Sequence, residues 1–405
     1  MEGQFHWIDW LVLVAYIAGT SWLADRLATQ RQTIRDFFLG GRRIPWWAVS
    51  GSIVASEVSG VTFVAIPAIA FAAGGNYTYM MLAIGSVLAR FLMAYFLIPA
   101  YYRNEIYSPY EFMGRRIGRG VKPAASVVFM VGVVLGQGAR LFLAAIVLNA
   151  ITHIGILPAI LLLSIIGIAW TWIGGITSVI WTDVVQFAMI CIGAIASVAA
   201  VVFAVPGGVD AIIAAGEAAG KFKLFDFTFD RTTEFTFWAG IFGFTFMTLG
   251  SHGTDQTMAQ RFFCCRDPRE ARRALIWSSV AMILPAVMLT VGVGLYAYFQ
   301  HFPMTAEQLA LVEERSDYIF PIFILQALPV GVRGLLFASI FSAATQTAAI
   351  SAMAQTALTF YRDLSRRVMG ERHLVRASRV FGVLDGVVIC GVAILCTEMQ
   401  QYRDL

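Results

Sequence analysis

Charge is what this sequence is short of. Only 25 acidic and 29 basic residues stand among its 405, or 13%, where a water-soluble domain carries about a quarter. Half of a soluble surface is therefore missing, which excludes a soluble enzyme or a nucleic-acid binder as a reading of the whole chain. The formal net charge of +4 has to be read loop by loop rather than as a sign of a partner. Cysteine is scarce too. Cys191, Cys264, Cys265, Cys390 and Cys396 lie in or beside apolar segments without a CxxC or a secretory framework, and read as small buried hydrophobes. The five histidines (6, 153, 252, 301 and 373) lack metal-ligand spacing, and Gly40-Gly41 and other glycine-rich pieces lack any phosphate-binding fingerprint, so ATP-driven chemistry has no support. A cleavable signal peptide is not expected, because the first apolar stretch, Ile8 to Leu23, has no basic residues before it and is followed at once by Asp25 and Arg26.

What the chain has in excess is apolar side chains, 59% of it, organised into long runs. Spanning segments are expected at 8–25, 46–73, 76–101, 123–151, 155–173, 177–205, 235–255, 274–300, 329–361 and 378–396, within a single transmembrane domain over 1–405. Four loops, 26–43, 102–122, 261–273 and 362–379, hold 21 of the 29 Lys and Arg, while residues 1–7 hold none. By the positive-inside rule these loops are cytoplasmic and the N-terminus is outside. The stretches 206–234 and 301–328, with Lys221, Lys223, Glu307 and Glu313, read as short helices on the outer surface.

Two segments depart from an ordinary span. The run from Trp46 to Gly75 would be about 45 Å long as a straight helix, beyond the ~30 Å hydrocarbon core. Its centre reads Ala55-Ser56-Glu57-Val58-Ser59-Gly60, polar and flexible where a span should be most apolar. The seventh segment loses its apolar character in the same way across Thr248 to Gln256. A helix interrupted by glycine and serine thus opens each of two five-helix blocks, the pattern of inverted repeats with broken helices at a transport site. Glycine-flexed packing helices are the plainer reading. The ionisable residue beside each interruption favours the functional one.

Acids inside spans are costly unless they face water, an ion or a partner, which makes Glu57, Asp183 and Asp255 candidates. Around Glu57, Ser56, Ser59 and the carbonyls freed near Ala55 and Val58 form an oxygen-rich set suited to a hard cation; alternatively Arg90 or Arg140 pairs with the acid for structure. Asp183 shares a helix face with Thr182 and Gln186, either an ion route or an interhelical hydrogen-bond seam. Arg140, mid-span in Gly136 to Phe142, either grips a carboxylate of an anionic or zwitterionic solute or pairs with a neighbouring acid. His252, beside the second interruption, is the one histidine worth testing.

The run Asp36-Phe37-Phe38-Leu39-Gly40-Gly41-Arg42-Arg43-Ile44-Pro45-Trp46-Trp47, followed by Ala55-Ser56-Glu57-Val58-Ser59-Gly60, resembles the opening of the sodium:solute symporter family. Tyr110-Glu111-Phe112 with Arg115-Arg116, Gly-Ala-Arg-Leu-Phe at 138–142, Trp-Thr-Asp-Val-Val-Gln at 181–186 and Gly-Thr-Asp-Gln at 253–256 with Arg261 follow in family order. The resemblance implies an all-α polytopic membrane protein with a leucine-transporter-like core: inverted five-helix repeats, two broken helices and one extra N-terminal helix. It also implies Na+ as the co-transported ion, no organic cofactor, no enzymatic activity, a small organic solute and the lipid bilayer as partners, a monomer, and a place in a bacterial inner or plasma membrane.

Carried over by motif, the sodium ligands are the carbonyls of Ala55, Val58 and Ala343 with the side chains of Gln346 and Thr347. Gln346 stands where the family usually has serine. Glu57 matches an acidic position important for sodium in proline-type members, and Asp183 an aspartate near the ion path. Where some relatives hold a second sodium, this chain has Ala349 and Ile350, which favours one ion per cycle. Ser59 and Thr62 match pocket positions of sialic-acid-type members, and with Arg140 and Asp255 complete the expected substrate site, favouring a carboxylate-bearing solute. The family's second repeat runs on past the point where Leu405 ends this sequence, so its last core helix is expected to be missing and the chain to be C-terminally truncated. The competing expectation is a non-transporting remnant or a solute-sensing membrane module of the same fold.

Overall fold

The computed structural model describes residues 6–28, 34–58, 60–103, 106, 108–118, 120–152, 154–230, 232–344, 347–365 and 370–403. Every regular element among them is helical. Six helices are long and apolar enough to cross a bilayer: Trp7–Arg26, Tyr77–Arg103, Val121–Ile146, Gly175–Ala204, Pro268–His301 and His373–Met399. A seventh is added if the pair Trp46–Glu57 and Thr62–Phe71, bent by 59°, is taken as one span. The other apolar segments are shorter or interrupted: Ile156–Trp170, the run from Ala239 to Thr254 with its π-helical stretches Ala239–Phe244 and Leu249–Thr254 around one α turn, and Val332–Ala344 followed by Thr347–Ser365.

Ile156–Ala204 is the mast of the bundle. The helices Trp7–Ala28, Trp46–Glu57, Val121–Thr152, Ile283–His301, Val332–Ala344 and Glu371–Arg403 all pack against it. It bends at Gly175, whose φ of 55° and ψ of −165° are open to glycine and strained for other residues. A Cβ there would also lie 2.8 Å from the Phe37 carbonyl oxygen, so the bend seats the short helix Ile34–Leu39.

Polar anchors at the ends of the broken helices fix the frame. Asp9, fully buried, accepts hydrogen bonds from the amides of Gly331 and Gly334 at 2.7 and 2.9 Å. A carboxylate at a helix N-terminus meets the positive end of the dipole, so the N-terminal helix holds the start of Val332–Ala344. Lys221, expected on the outer surface, is 1% exposed. Its ammonium donates to the carbonyls of Ala70, Phe71 and Ala72, at 2.7, 3.2 and 3.0 Å, and lies 4.2 Å from the Tyr296 ring centre. Those are carbonyls that the end of Gly60–Phe71 leaves without intrahelical donors. The segment after 206 is therefore latched onto the second half of the first broken helix. Gly85 and Gly240 bring the third and seventh segments into backbone contact, and a Cβ on Gly85 would fall 1.9 Å from the Gly240 carbonyl oxygen.

Candidate functional site

The two interrupted helices break in the same way. Trp46–Glu57 ends where Val58 turns to extended backbone, φ −78° and ψ 119°, and the seventh segment ends where Asp255 does, φ −77° and ψ 129°. New helices start at Gly60 and at Gln256. Asp255 caps the latter, its carboxylate accepting the Thr257 amide hydrogen at 2.6 Å. Six π-helical residues, Leu249–Thr254, precede it, and the Tyr101 hydroxyl takes up the Gly253 carbonyl at 2.7 Å. The π turn widens the helix by one residue, a device found mostly where side chains must be re-aimed.

The breaks meet through side chains. Glu57, the last residue of its helix, forms an ion pair with Arg90 of the third segment, and its Oε1 lies 2.8 Å from His252 Nε2 of the seventh. Arg90 has a fully buried side chain; it also donates to Ser86 and, at 3.1 Å, to Ser278. The His252 Nδ1 faces the Ser251 hydroxyl at 3.0 Å. Glu57 Oε2 is buried without a hydrogen-bond partner among the described residues. A carboxylate oxygen left so within a membrane span is costly unless a ligand completes it.

One turn back from the first break lies a second, closed cluster. Ser52 donates to Asp183 at 2.5 Å, and Arg261 donates to Asp183 at 3.1 Å, to Ser52 at 2.8 Å, to Ser56 and to the Thr257 carbonyl. Ser52 and Ser56, four residues apart on one helix face, thus join the fifth-to-sixth-segment mast to the second half of the other broken helix. The Asp183 face carries hydrogen bonds between helices, continued by Ser342 donating to the Gln186 carbonyl at 3.4 Å.

Of the remaining candidates, Thr62 sits half-buried in the first turns of Gly60–Phe71, just past the first break. The carbonyl of Val58 lies in the break, and that of Ala55 in the last turn before it. Ala343 lies in the last turn of Val332–Ala344, and Thr347 begins Thr347–Ser365. Ser59 and Gln346 lie outside the described residues. Arg140 pairs with neither Glu57 nor Asp183 among the described residues, where Arg90 and Arg261 occupy those acids. Its side chain is exposed in mid-helix, and the charge that acts on it is that of Asp255 at the second break. Of the two partners open to Glu57, the structure places Arg90 there; Arg261, counted with the basic loop 261–273, is instead fully buried on Asp183, and the two pairings cross 33 and 78 positions of sequence.

The profile of the sodium:solute symporter family matches residues 37–403. The chain is 30% identical to the sodium/sialic acid symporter SiaT of Proteus mirabilis, over 90% of this chain and 72% of that one. It is 29% identical to the human sodium/iodide cotransporter and 28% to the bovine sodium-coupled monocarboxylate transporter 2, over 90% and 82% of this chain. It spans little more than half of those two longer relatives, 57% and 53%. Among solved structures, a substrate-bound, outward-open Na+-coupled sialic acid symporter superposes with a TM-score of 0.89 at 27% identity, covering 97% of this chain and 83% of that one.

Proposed function

The chain belongs to the sodium:solute symporter family, and from that premise we propose that it is a secondary active symporter that imports a small organic solute with Na+ by alternating access. The observation that carries the reading is the meeting of two helix breaks at Glu57, with one carboxylate oxygen between them unpartnered among the described residues. The chain is an integral membrane protein; we place its N-terminus outside, in a bacterial inner or plasma membrane, on the charge of its loops. The two breaks, with matching dihedral angles, support two inverted five-helix repeats.

Sodium binds, in this reading, between the carbonyls of Ala55 and Val58 and the ninth-segment ligands Ala343, Gln346 and Thr347. Support comes from the packing of Gly60–Phe71, the half-helix that follows the first break, against Val332–Ala344, which carries Ala343. Glu57 supplies negative charge beside the ion. Asp183 stands on the inward ion path, where Arg261 occupies it in this conformation. The solute sits at the breaks against Ser59, Thr62, Asp255 and Arg140, and a carboxylate-bearing one suits Arg140 and the helix N-termini at Gly60 and Gln256. Coupling follows if Na+ stabilises the outward-open state, because an ion shifts an equilibrium only by its differential affinity for the two states.

Solute uptake by proteoliposomes driven by an inward sodium gradient tests the whole; no sodium-driven uptake of any carboxylate, amino acid or sugar would overturn it. Within it, Thr347→Ala removes one neutral ligand and leaves a residue that helices tolerate. Apparent sodium affinity should fall about 5- to 10-fold, the worth of a hydrogen bond-like contact of about 1 kcal/mol, at normal yield. Unchanged sodium activation would move the site elsewhere. Arg140→Lys keeps the charge and loses the planar fork. With no ion pair of Arg140 among the described residues to break, yield should stay normal while the apparent KM for solute rises roughly tenfold; unchanged uptake kinetics for every carboxylate tested would sink the substrate role.

A further inference from the structure

A cavity of about 620 Å³, away from the helix breaks, is lined by Gly41, Arg42, Arg43, Pro45, Arg266 and Glu270. Two basic loops build it. The first supplies Arg42, at an unusual left-handed φ of 56°, and Arg43; the second supplies Arg266. The Ile44 amide bonds the Cys264 carbonyl at 3.4 Å and ties the loops together. The Arg42 guanidinium lies 5.5 Å from the Tyr102 ring centre, and its Nε is buried without a hydrogen-bond partner among the described residues. The nearby acids are already engaged. Glu270 accepts the Arg266 amide at 3.2 Å, Asp267 caps the helix Pro268–Trp277 through the amides of Arg269 and Glu270, and Asp36 lies beside Gly41. Three guanidinium groups against one lining carboxylate leave the cavity net positive.

Its depth is marked by tryptophans. Trp46, which opens the helix after the first loop, and Trp277, which ends the helix Pro268–Trp277 after the second, have ring centres 6.0 Å apart, and Trp47 packs on Trp181 at 5.4 Å. Trp47 and Trp277 are about half exposed. Tryptophans of this kind lie at headgroup level, so the cavity opens where phosphate groups are. Arginine forks match phosphate oxygens bidentately, and the cytoplasmic leaflet attracts basic loops through its anionic lipids.

We propose that this cavity is a binding site for a phosphate-bearing anion, gripped by Arg42, Arg43 and Arg266. The phosphate comes from an anionic phospholipid headgroup or from free inorganic phosphate, and both present the same oxygens. Bound there, it joins the segment before Trp46 to the segment after Phe262, the inner ends of both broken helices, and so bears on the equilibrium between transport states. The site stands on its own residues and does not depend on the identity of the transported solute.

The test uses the whole protein with Arg43→Gln and Arg266→Gln combined; both side chains are exposed, so folding is preserved. Arg103→Gln, exposed and outside the cavity lining, is the control. Native mass spectrometry with added phosphatidylglycerol or phosphatidylcholine, and thermal unfolding with inorganic phosphate, read the two sources separately. Wild type and the control should retain one phosphatidylglycerol at least tenfold more tightly than phosphatidylcholine, and the double variant should lose that preference. A stabilisation by inorganic phosphate that the double variant loses would support the site with free phosphate as its ligand. Equal phosphatidylglycerol retention and equal phosphate response in wild type and double variant would overturn the proposal.

Discussion

Arg261→Ala is expected to collapse the folded yield of this protein, at a cost of roughly 3–5 kcal/mol. The reason lies in what each partner retains. Asp183 is 2% exposed, and after loss of Arg261 its charge keeps, among the described residues, the Ser52 hydroxyl as its hydrogen-bond donor. The reverse change is gentler, because Arg261 without the Asp183 charge keeps Ser52, Ser56 and the Thr257 carbonyl as acceptors. Asp183→Asn should therefore fold better than Arg261→Ala, and combining the two should recover most of the yield, since no uncompensated charge is then left in the membrane. Fluorescence-detected size-exclusion profiles of the three variants in mild detergent check the order. Equal yields for Arg261→Ala and wild type would mean that water reaches Asp183, and the closed seam would not exist.

The interruptions were legible because they are local: glycine, serine and an acid inside an apolar run stand out at Ala55 to Gly60 and at Thr248 to Gln256. Their form was not. The π turn of Leu249–Thr254 is held by Tyr101 and by contact with the third segment, partners about 150 residues away. Loop charges could be counted, yet Lys221 reads like any surface lysine until the end of Gly60–Phe71 is brought to it. Asp9 is likewise unremarked in the first apolar stretch, since its value comes from two amides more than 320 residues on. Pairing of charges is a property of topology. A sequence can announce that Glu57 and Asp183 need partners, and only the packing assigns Arg90 to one and Arg261 to the other. The ninth-segment ligands rest on the family motif, for Gln346 lies outside the described residues.

Glu57→Gln should abolish most sodium activation while leaving a folded protein. Glutamine keeps the shape and an acceptor for Arg90, and Arg90 also keeps Ser86 and Ser278, so the buried guanidinium is not left bare. What goes is the negative charge at the junction of the two breaks. At an effective dielectric of about 20, a unit charge roughly 6–8 Å from an ion is worth about 2–3 kcal/mol. With about 1.4 kcal/mol per tenfold change, apparent sodium affinity should weaken roughly 30- to 100-fold, well beyond the effect of Thr347→Ala. The unneutralised Arg90 adds repulsion in the same direction, so the double variant Glu57→Gln with Arg90→Gln should regain part of the loss. Sodium titrations of uptake initial rates, at equal amounts of reconstituted protein, separate this from a purely structural pair. A structural pair predicts lower yield with an unshifted sodium midpoint, and that pattern would remove Glu57 from the ion's surroundings.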